Sequence, residues 1–401
     1  MGFSDMVLMA LALTGLTGCL NYYLLSRLFP LYRRPLVRYL FLAVTAAAIF
    51  ITYDSRIQPP SSLDAKHGID YALLYGAIAW LCGQFALLLA QPFLYVAVKR
   101  LQRTNQPAPT ASSPEGLVTR RAFLRGAAAL TLLIPAGVGA KGVYQAQVSM
   151  TVREHTLTFP GLPPNLRGFK IGQLSDTHLG PYFSLQRLDT AIDLLMRQKP
   201  DLVVITGDFV DDMNLLAPAI SRLNSLQPRI PQGIYFCLGN HEYIRNVSLV
   251  RSQLAQSRVV LLENSSRLIL PGPQPFYLLG ADYPESATGR RGMNIGADRR
   301  QQCFAATNQG IPAEAFKVLI AHHPDFLIDG FAARIPLTLA GHTHGGQVVV
   351  AGKPLFYSQA SYIGGLYQEN GVYGYVSSGA GQWFPFRLGC PPEVSLFTLQ
   401  D

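Results

Sequence analysis

The segment Gly341-His342-Thr343-His344-Gly345-Gly346 contains two imidazoles that are separated by one residue. It follows the apolar run Leu337–Ala340, which has the composition of a short strand. In an extended segment, residues i and i+2 point the same way, so both rings can reach one metal ion. The flanking glycines allow a sharp turn and a close approach of a ligand. The spacing therefore predicts a metal-binding turn at the end of a strand.

Four further segments of the same kind precede this turn, and each follows a short apolar run that is predicted to be a strand. They are Asp176-Thr177-His178, Gly207-Asp208, Gly239-Asn240-His241-Glu242 and Ala321-His322-His323-Pro324. A lone histidine is most often an ordinary core residue, but six of the eight histidines of this chain lie in these segments and the GHTH turn. Sites in open α/β sheets form beyond the carboxyl ends of strands. The pattern thus predicts one metal site that several strand ends build together.

In this order the segments resemble the motifs of the calcineurin-like metallophosphoesterase superfamily, which are D-x-H, GD, GNH[ED], a histidine and GHxH. The resemblance covers residues 168–399. Gln347, just after the last motif, and the distal Pro391-Pro392-Glu393 are similar to a bacterial membrane-associated branch of that superfamily. The resemblance implies a metal-dependent phosphoesterase.

The resemblance also implies a centre of two divalent metal ions, with Mn, Fe, Zn, Co and Ni as candidates. Its ligands would be carboxylate, amide and imidazole groups: Asp176, His178, Asp208 and His344 around the first ion, and Asp208 as a bridge with Asn240, His322 and His342 around the second. Imidazole and carboxylate suit these metals, and the absence of thiolate disfavours a purely structural zinc site. Two ions about 3.5–4 Å apart can activate a water and stabilise charge that develops on phosphorus.

His241 is assigned the catalytic role, because the matching histidine of the family faces the substrate and an imidazole suits acid catalysis. The alternative is that His241 is another ligand or supports one. Asp211 and Glu242 are interpreted either as groups that orient ligand imidazoles or as solvated loop carboxylates. His323 is interpreted as a bystander, with an exchange of roles with His322 as the alternative.

Strand-like and helix-like segments alternate in the second part of the chain. Residues 169–174 form a predicted strand, the one-sided apolar spacing from Leu185 to Leu195 predicts a helix, and Leu202–Thr206 forms the next strand. Further strand-like runs recur as far as residues 396–399. The alternation predicts an α/β domain over residues 142–401. The resemblance implies two packed β-sheets flanked by helices, preceded by transmembrane helices.

The positive charge of the chain is concentrated near its beginning. Residues 1–150 carry 13 Lys and Arg against 5 Asp and Glu, whereas residues 151–401 carry 20 against 19. The near-neutral catalytic part disfavours a nucleic-acid partner. Three transmembrane helices are predicted within residues 1–104, at residues 6–29, 36–53 and 71–98, since a span takes about 20 apolar residues. The arginines between the first two spans and after the third place the amino terminus outside. Buried core helices are the alternative.

A flexible linker is predicted over residues 105–118, which are rich in Pro, Ala, Ser and Thr. The following Thr119-Arg120-Arg121-Ala122-Phe123-Leu124-Arg125 resembles a twin-arginine export signal. Residues 119–141 are thus predicted to be this signal or a fourth membrane segment, with residues 138–140 as a candidate cleavage site. These features predict a multi-pass protein of the inner membrane whose catalytic domain faces the periplasm or exterior. The twin-arginine export machinery is an expected partner.

Two regions are candidates for contact with a substrate. Residues 282–310 are polar and contain Arg290-Arg291 and Arg299-Arg300, and are interpreted as a solvated loop or as an anion-binding loop over the metal site. Residues 356–375 and Trp383-Phe384-Pro385-Phe386-Arg387 are rich in aromatic side chains. They are interpreted either as an apolar rim that faces lipid or as core and edge packing.

The sequence favours a membrane-associated binuclear phosphoesterase that hydrolyses phosphodiester or pyrophosphate bonds by attack of a metal-activated hydroxide, with His241 assisting. A lipid-linked or envelope-precursor phosphoester is the favoured substrate, because the enzyme would be held at the membrane. A phosphomonoesterase is the nearest alternative. A non-catalytic metal-binding membrane sensor is the other, although no predicted span carries the central charge that usually marks a pathway. A nuclease is disfavoured by the neutral catalytic part.

Overall fold

The computed structural model describes residues 3–57, 68–103, 120–284, 295–355 and 360–401. The chain divides into two compact units, Met1–Tyr144 and Gln145–Asp401. The predicted linker at residues 105–118 lies outside the described residues. The domain boundaries expected from the sequence stay predictions.

The amino-terminal unit is built from long helices. They are α1 (Phe3–Leu28), α2 (Pro35–Ile57), α3 (Gly68–Arg103) and most of α4 (Arg120–Val148). Large apolar side chains such as Leu36, Phe50 and Phe93 are exposed, as expected where lipid replaces water as the solvent. Within the described residues, the helical segments Pro35–Asp54 and Ala72–Arg100 are long and apolar enough to cross a membrane. The expectation of three spans and of their orientation stays a prediction.

Helix α4 includes almost all of the predicted export signal. The candidate cleavage site at residues 138–140 lies in the interior of this helix rather than in a loop. Gly139 packs so closely on α3 that a Cβ atom there would lie 2.0 Å from the carbonyl oxygen of Ala79. Because peptidases cut exposed and extended chain, cleavage would require α4 to separate from α3 and unwind.

The carboxy-terminal unit contains two six-stranded sheets, the first with the strand order β1-β14-β2-β3-β4-β5. Its strands are β1 (Thr151–Thr158), β2 (Lys170–Leu174), β3 (Leu202–Thr206), β4 (Ile234–Cys237), β5 (Val260–Leu261) and β14 (Glu393–Gln400). Strands β2 to β5 run parallel, whereas β14 is antiparallel to β2 and parallel to β1. The carboxyl ends of β2, β3 and β4 therefore meet at one edge.

The second sheet has the strand order β12-β13-β9-β8-β7-β6. Its strands are β6 (Ser265–Leu270), β7 (Phe276–Gly280), β8 (Phe316–Ile320), β9 (Leu337–Ala340), β12 (Gly365–Glu369) and β13 (Val372–Val376). The four central strands are parallel and the two edge strands, β6 and β12, are antiparallel to their neighbours. A short hairpin, β10 (Val349–Val350) with β11 (Lys353–Pro354), follows β9.

The two sheets pack face to face with helices on the outside. The helices are α5 (Leu185–Met196), α6 (Leu216–Leu226), α7 (Asn240–Arg245), α8 (Val247–Ala255), α9 (Ala297–Asn308) and α10 (Phe326–Ala332). In β3, Leu202 and Val204 belong to the core between the sheets, while Val203 and Ile205 pack with α5, α6 and α8. A strand buried on both faces must be apolar at every position. This arrangement confirms the predicted fold class of an α/β domain with two packed sheets.

The predicted β-α-β unit is β2, α5 and β3. Ser184 caps α5 by accepting the backbone N–H of Arg187, and the apolar stripe of the helix buries Leu188, Ile192 and Leu195. Strands β2 and β3 then pair in parallel. The sequence predicts this unit well because three local signals indicate the same structure. These are the capping residue, the spacing of the apolar residues in the helix and the composition of the strands.

The interpretation of residues 282–310 as a loop is wrong for residues 297–308, which form α9. The buried residues of this helix are Arg300 and Thr307 rather than an apolar stripe, so the usual periodicity is absent. The guanidinium of Arg300 pairs with the carboxylate of Asp329 at 2.5 Å and is not available to a substrate. Arg290 and Arg291 lie outside the described residues.

Candidate metal centre

The seven expected ligands follow the carboxyl ends of neighbouring strands. They are Asp176 and His178 after β2, Asp208 after β3, Asn240 after β4, His322 after β8, and His342 and His344 after β9. Because parallel strands of one sheet end at the same edge, each sheet delivers its ligands to one place. Both sheets contribute, and the structure brings all seven side chains together in two adjoining clusters.

The first cluster contains Asp176, His178 and His344. Nε2 of His178 lies 3.1 Å from Nε2 of His344. Nε2 of His344 lies 3.7 Å from Oδ1 of Asp176, and Nε2 of His178 lies 3.6 Å from Oδ2 of Asp208. The side chains of these residues are almost completely buried. Buried ring nitrogens and carboxylate oxygens at such spacing are an arrangement that can hold a metal ion.

The second cluster is centred on Nε2 of His322. This nitrogen lies 3.1 Å from Oδ1 of Asn240, 3.1 Å from Nδ1 of His342 and 3.2 Å from Oδ2 of Asp208. Nδ1 of His322 donates to the carbonyl oxygen of Thr206 at 2.8 Å, so Nε2 is the nitrogen that remains for a ligand. Ligands at about 2.0–2.2 Å from a metal are spaced by roughly 3–3.5 Å. The cluster has the donor types and the spacing that a divalent transition metal requires.

Asp208 belongs to both clusters through the same oxygen atom. Its Oδ1 accepts the backbone N–H of His241 at 2.8 Å, and this bond turns Oδ2 toward His178 and His322. Burial alone would raise the pKa of the Asp208 carboxyl, but the imidazoles of His322 and His241 hold it well below its usual range. Burial would lower the pKa of His322, but Asp208 raises it to about 9. Both shifts follow from the attraction between the Asp208 carboxylate and the imidazole of His322.

Five of the seven expected ligands have a left-handed backbone. Their φ angles are 50° for Asp176, 47° for His178, 51° for Asp208, 75° for His342 and 52° for His344. This conformation costs a non-glycine residue about 1–2 kcal/mol. Such strain concentrates at functional sites, where the surrounding structure fixes it. The sharp turns aim successive side chains from each strand end into the same small space.

The glycines of the motifs make room for the carboxylates. A Cβ atom on Gly341 would lie 2.2 Å from Oδ2 of Asp176, and a Cβ atom on Gly239 would lie 2.3 Å from Oδ1 of Asp208. Neither position accepts any other residue without displacing a carboxylate. The sequence predicts that the glycines let a ligand come close. In the structure they let the carboxylate of a neighbouring strand end come close instead.

His241 lies at the rim of the clusters, with 18% of its side chain exposed. Its Nδ1 donates to Oδ1 of Asp211 at 2.5 Å, and Oδ2 of Asp211 lies 3.4 Å from Nδ1 of His178. Nε2 of His241 lies 4.0 Å from Oδ2 of Asp208. Burial would lower the pKa of His241, but Asp208 and Asp211 raise it to about 9. Asp211 thus contacts two imidazoles, in agreement with an orienting role, and leaves Nε2 of His241 directed at the clusters.

Glu242 has a different role from both sequence interpretations, which were an imidazole-orienting group and a solvated carboxylate. It is completely buried. Its carboxylate accepts the backbone N–H groups of Asp208 at 2.9 Å, Phe209 at 2.7 Å and Gly239 at 2.8 Å. Glu242 therefore joins the turn after β3 to the turn after β4, and these turns carry Asp208 and Asn240. A single chain position cannot reveal these partners, since two of them, Asp208 and Phe209, are backbone groups 34 and 33 residues earlier in the sequence.

Arg387 contacts the centre, although the sequence interpretation gave it no role there. The side chain is fully buried, and it donates through Nη2 to Nδ1 of His344 at 2.9 Å and to the carbonyl oxygen of Gly381 at 2.5 Å. A guanidinium only donates, so Nδ1 of His344 is the acceptor, which is the reverse of the arrangement at His322. In the sequence, the only sign of this role is a single cation directly after the aromatic run from Trp383 to Phe386.

The remaining candidates are placed as follows. His323 is buried outside the two clusters, and its Nδ1 accepts the backbone N–H of Asp325 at 3.2 Å. Tyr373 and Tyr375 lie in the core between the sheets, as core packing requires. Trp383 is 41% exposed, as an apolar rim would require, whereas Phe386 is buried, as core packing would require. Residues 356–359 lie outside the described residues.

The family model for the calcineurin-like phosphoesterases matches residues 169–346. This range begins at β2 and ends just after the GHTH turn, so it includes every expected ligand and His241. It ends before Arg387 and β14.

The chain is similar along most of its length to proteins from distant organisms. It is 30% identical over 293 residues to the phosphodiesterase YaeI of Escherichia coli (strain K12), a match that covers 71% of this chain and 100% of that protein. It is 29% identical over 302 residues to the uncharacterized metallophosphoesterase YkuE of Bacillus subtilis (strain 168), covering 71% of this chain and 98% of that protein. It is 29% identical over 344 residues to the transmembrane protein with metallophosphoesterase domain of Bos taurus, a match that covers 82% of this chain and 74% of that protein.

Proposed function

Since the chain belongs to the calcineurin-like phosphoesterase family, and is thus a metal-dependent phosphoester hydrolase, we propose that it hydrolyses phosphodiester or pyrophosphate bonds at a centre of two divalent metal ions. The observation that carries the proposal is the sharing of Oδ2 of Asp208 between the two ligand clusters. A carboxylate oxygen in this position can bind two cations while it offsets their mutual repulsion. The relative named a phosphodiesterase supports the choice of a diester bond.

The residues that would hold the two ions are those of the two clusters. Asp176, His178, Asp208 and His344 would bind the first, and Asp208, Asn240, His322 and His342 would bind the second. When bound, a pair of ions about 3.5–4 Å apart supplies Lewis acidity and lowers the pKa of a coordinated water. Asn240 contributes a neutral amide oxygen, which keeps the charge of the second position higher than a carboxylate would.

His241 would contact the substrate directly. Asp211 fixes its ring through Nδ1, and the partly exposed ring directs Nε2 toward the clusters. From this position His241 can donate a hydrogen bond to the transferring phosphoryl group and a proton to the leaving oxygen. Since Nε2 is 4.0 Å from Oδ2 of Asp208, His241 lies close enough to touch a substrate held at both clusters. Metal binding by His241 is the alternative role, because this residue also groups with His178 and Asp208.

The protein is associated with a membrane, as its apolar helices and its relatives named transmembrane proteins indicate. We further infer that it is a multi-pass protein of the cytoplasmic membrane whose catalytic unit faces the periplasm or exterior, exported by the twin-arginine machinery. A reporter enzyme that works only after export, fused behind Asp401, should be active. Activity only from a reporter that requires the cytoplasm would contradict this orientation. A lipid-linked or envelope phosphoester is the substrate class that the membrane location favours.

The function is tested by hydrolysis with the full-length chain in detergent, supplied with Mn²⁺. A chromogenic phosphodiester, a chromogenic phosphomonoester and a lipid-linked pyrophosphate are compared, with His241→Ala and the matched variant His155→Ala, which alters a histidine on β1. We expect diester or pyrophosphate turnover that falls by a factor on the order of 10²–10⁴ in His241→Ala and is retained in His155→Ala. Faster turnover of the monoester would favour a phosphomonoesterase. No turnover of any substrate by metal-loaded protein would favour the sensor.

A further inference from the structure

A cavity of about 540 Å³ opens beside the second cluster. Its walls come from α7, α8, α9 and the segment that follows β7, and the residues that matter most are Tyr243, Arg251, Asp282, Tyr283, Arg299 and Gln302. Small-molecule sites in proteins commonly measure about 300–1,000 Å³. The cavity is therefore large enough for a substantial substituent of a substrate.

Tyr283 connects the cavity with the ligand clusters. The centre of its ring lies 5.8 Å from that of His322 and 5.9 Å from that of His342. On α7, Tyr243 comes three residues after Asn240, so the two side chains lie one turn apart on the same face. A group bound at the clusters would thus lie close to Tyr283, which also lines the cavity.

One wall of the cavity is polar and satisfied by its own hydrogen bonds. The hydroxyl of Tyr243 donates to Asp282 at 2.5 Å, and Arg251 donates to the Tyr243 oxygen at 3.2 Å. Arg251 also pairs with Glu263 at 2.5 Å. Arg251 and Glu263 thus form an ion pair within the wall, whereas the carboxylate of Asp282 is bound by a neutral hydroxyl, and these hydrogen bonds give the cavity a fixed shape.

The opposite wall is formed by α9, and its polar side chains are exposed rather than bound to each other. Arg299 and Gln302 are three residues apart, so they share a face of the helix, and both are exposed. Among the described residues, no carboxylate lies within ion-pair distance of Arg299, whereas its neighbour Arg300 is buried against Asp329. Within the part of the chain that the structure describes, Arg299 is thus a cation of the cavity lining without an ion-pair partner, and the carboxylate of Asp282, which also lines the cavity, is bound by Tyr243 instead. A guanidinium matches a phosphate through paired hydrogen bonds.

We propose that this cavity is a subsite for a second phosphate of the substrate, with Arg299 as its anchor and Gln302 as an additional donor. The inference rests on the proposed function and narrows it: the preferred substrate has two phosphates joined or closely spaced, and the phosphate distal to the scissile bond lies in the cavity. The tyrosine rings beside Arg299 suit a sugar or base attached to that second phosphate. The lipid end of a lipid-linked substrate would then lie on the other side of the clusters.

The test uses the full-length chain in detergent with excess Mn²⁺ and a chromogenic phosphodiester that carries a single phosphate. Competitive inhibition is measured with AMP and with α,β-methylene-ADP, which share the nucleoside and differ in the number of phosphates. The variants are Arg299→Gln, Arg299→Lys and the matched control Arg258→Gln, an exposed arginine that does not line the cavity.

The wild type should prefer α,β-methylene-ADP to AMP by about tenfold or more, since a charged hydrogen bond contributes about 1.5–3 kcal/mol. Arg299→Gln should abolish most of this preference, Arg299→Lys should retain part of it, and Arg258→Gln should retain all of it. Equal binding of the two nucleotides by the wild type, or an unchanged preference in Arg299→Gln, would overturn the subsite. If the wild type does not hydrolyse the diester, the proposed function fails, and calorimetric titration of the same nucleotides still decides on the subsite.

Discussion

Replacing Glu242 by Gln should destabilise the catalytic unit and loosen the metal centre, although the change is nearly isosteric. Glu242 is completely buried, and one of its oxygens accepts the N–H groups of Asp208 and Gly239 while the other accepts that of Phe209. An amide has only one acceptor oxygen. Its NH₂ group would therefore face at least one of these backbone donors.

The size of the effect follows from this hydrogen-bond pattern. If the amide oxygen remains with Asp208 and Gly239, the N–H of Phe209 loses an acceptor at 2.7 Å. A buried donor without an acceptor costs about 1–3 kcal/mol, and the two remaining bonds lose their ionic partner, which weakens each by roughly 0.5–1 kcal/mol. We expect a destabilisation of about 2–5 kcal/mol, which corresponds to a fall in Tm of roughly 4–20 °C for a unit of this size.

Tm is measured by tryptophan fluorescence in a Trp80→Phe background. The chain has two tryptophans, so Trp383 then reports on the catalytic unit alone. The matched control is Glu154→Gln, an exposed position on β1, which should change stability by less than about 0.5 kcal/mol. A Tm of Glu242→Gln within about 2 °C of that control, which corresponds to roughly 0.5–1 kcal/mol, would refute the assignment of Glu242 as the acceptor that joins the two turns.

Three further results are expected. Asp208→Asn should weaken metal binding at both positions by roughly tenfold or more, because the shared ligand loses its charge. The metal content of the protein is measured after dialysis. Loss of a single ion would contradict the sharing of Asp208. Asp211→Asn should lower kcat by about 10–100-fold without unfolding the protein, because the ring of His241 is then held less firmly. An unchanged kcat would show that the contact between Asp211 and His241 has no function. Arg300→Met should lower the free energy of unfolding by about 3–5 kcal/mol, since it leaves Asp329 as an unpaired buried charge, whereas Arg300→Met with Asp329→Leu should be nearly neutral. Equal thermal unfolding of the single and the double variant would contradict this reasoning.

The sequence predicts the catalytic fold well where burial leaves a pattern in the residues. In β3 all five positions are buried, because Leu202 and Val204 face the second sheet while Val203 and Ile205 face the helices. Such a strand reads as a continuous apolar run. The end of that run places Asp208 at the sheet edge, so strand ends and ligands could be located together.

Other features depend on contacts between distant parts of the chain, and the sequence does not encode them in a local pattern. Helix α9 lacks an apolar stripe because its buried face includes Arg300, which is paired with Asp329 29 residues later. Arg387 meets His344 across 43 residues. The left-handed φ angles of Asp176 and Asp208 also follow from the tertiary structure, since neither residue type requires this conformation.

The membrane part shows a different limit. Composition predicts helices at residues 6–29, 36–53 and 71–98, and the structure has helices over these positions. Length and apolarity alone do not determine the side of the membrane on which each end lies. The positive charges near the helix ends carry that information, and only a topology measurement tests it.

The sharing of Asp208 between two metal positions is tested most directly by titrating metal-free, full-length protein with Mn²⁺ while turnover of a phosphodiester and the electron paramagnetic resonance spectrum are followed together. Two bridged ions should bind per chain, the spectrum of a spin-coupled pair should develop with the second equivalent, and turnover should rise with that same equivalent. Full turnover at one equivalent, with the spectrum of an isolated ion throughout, would contradict a binuclear centre.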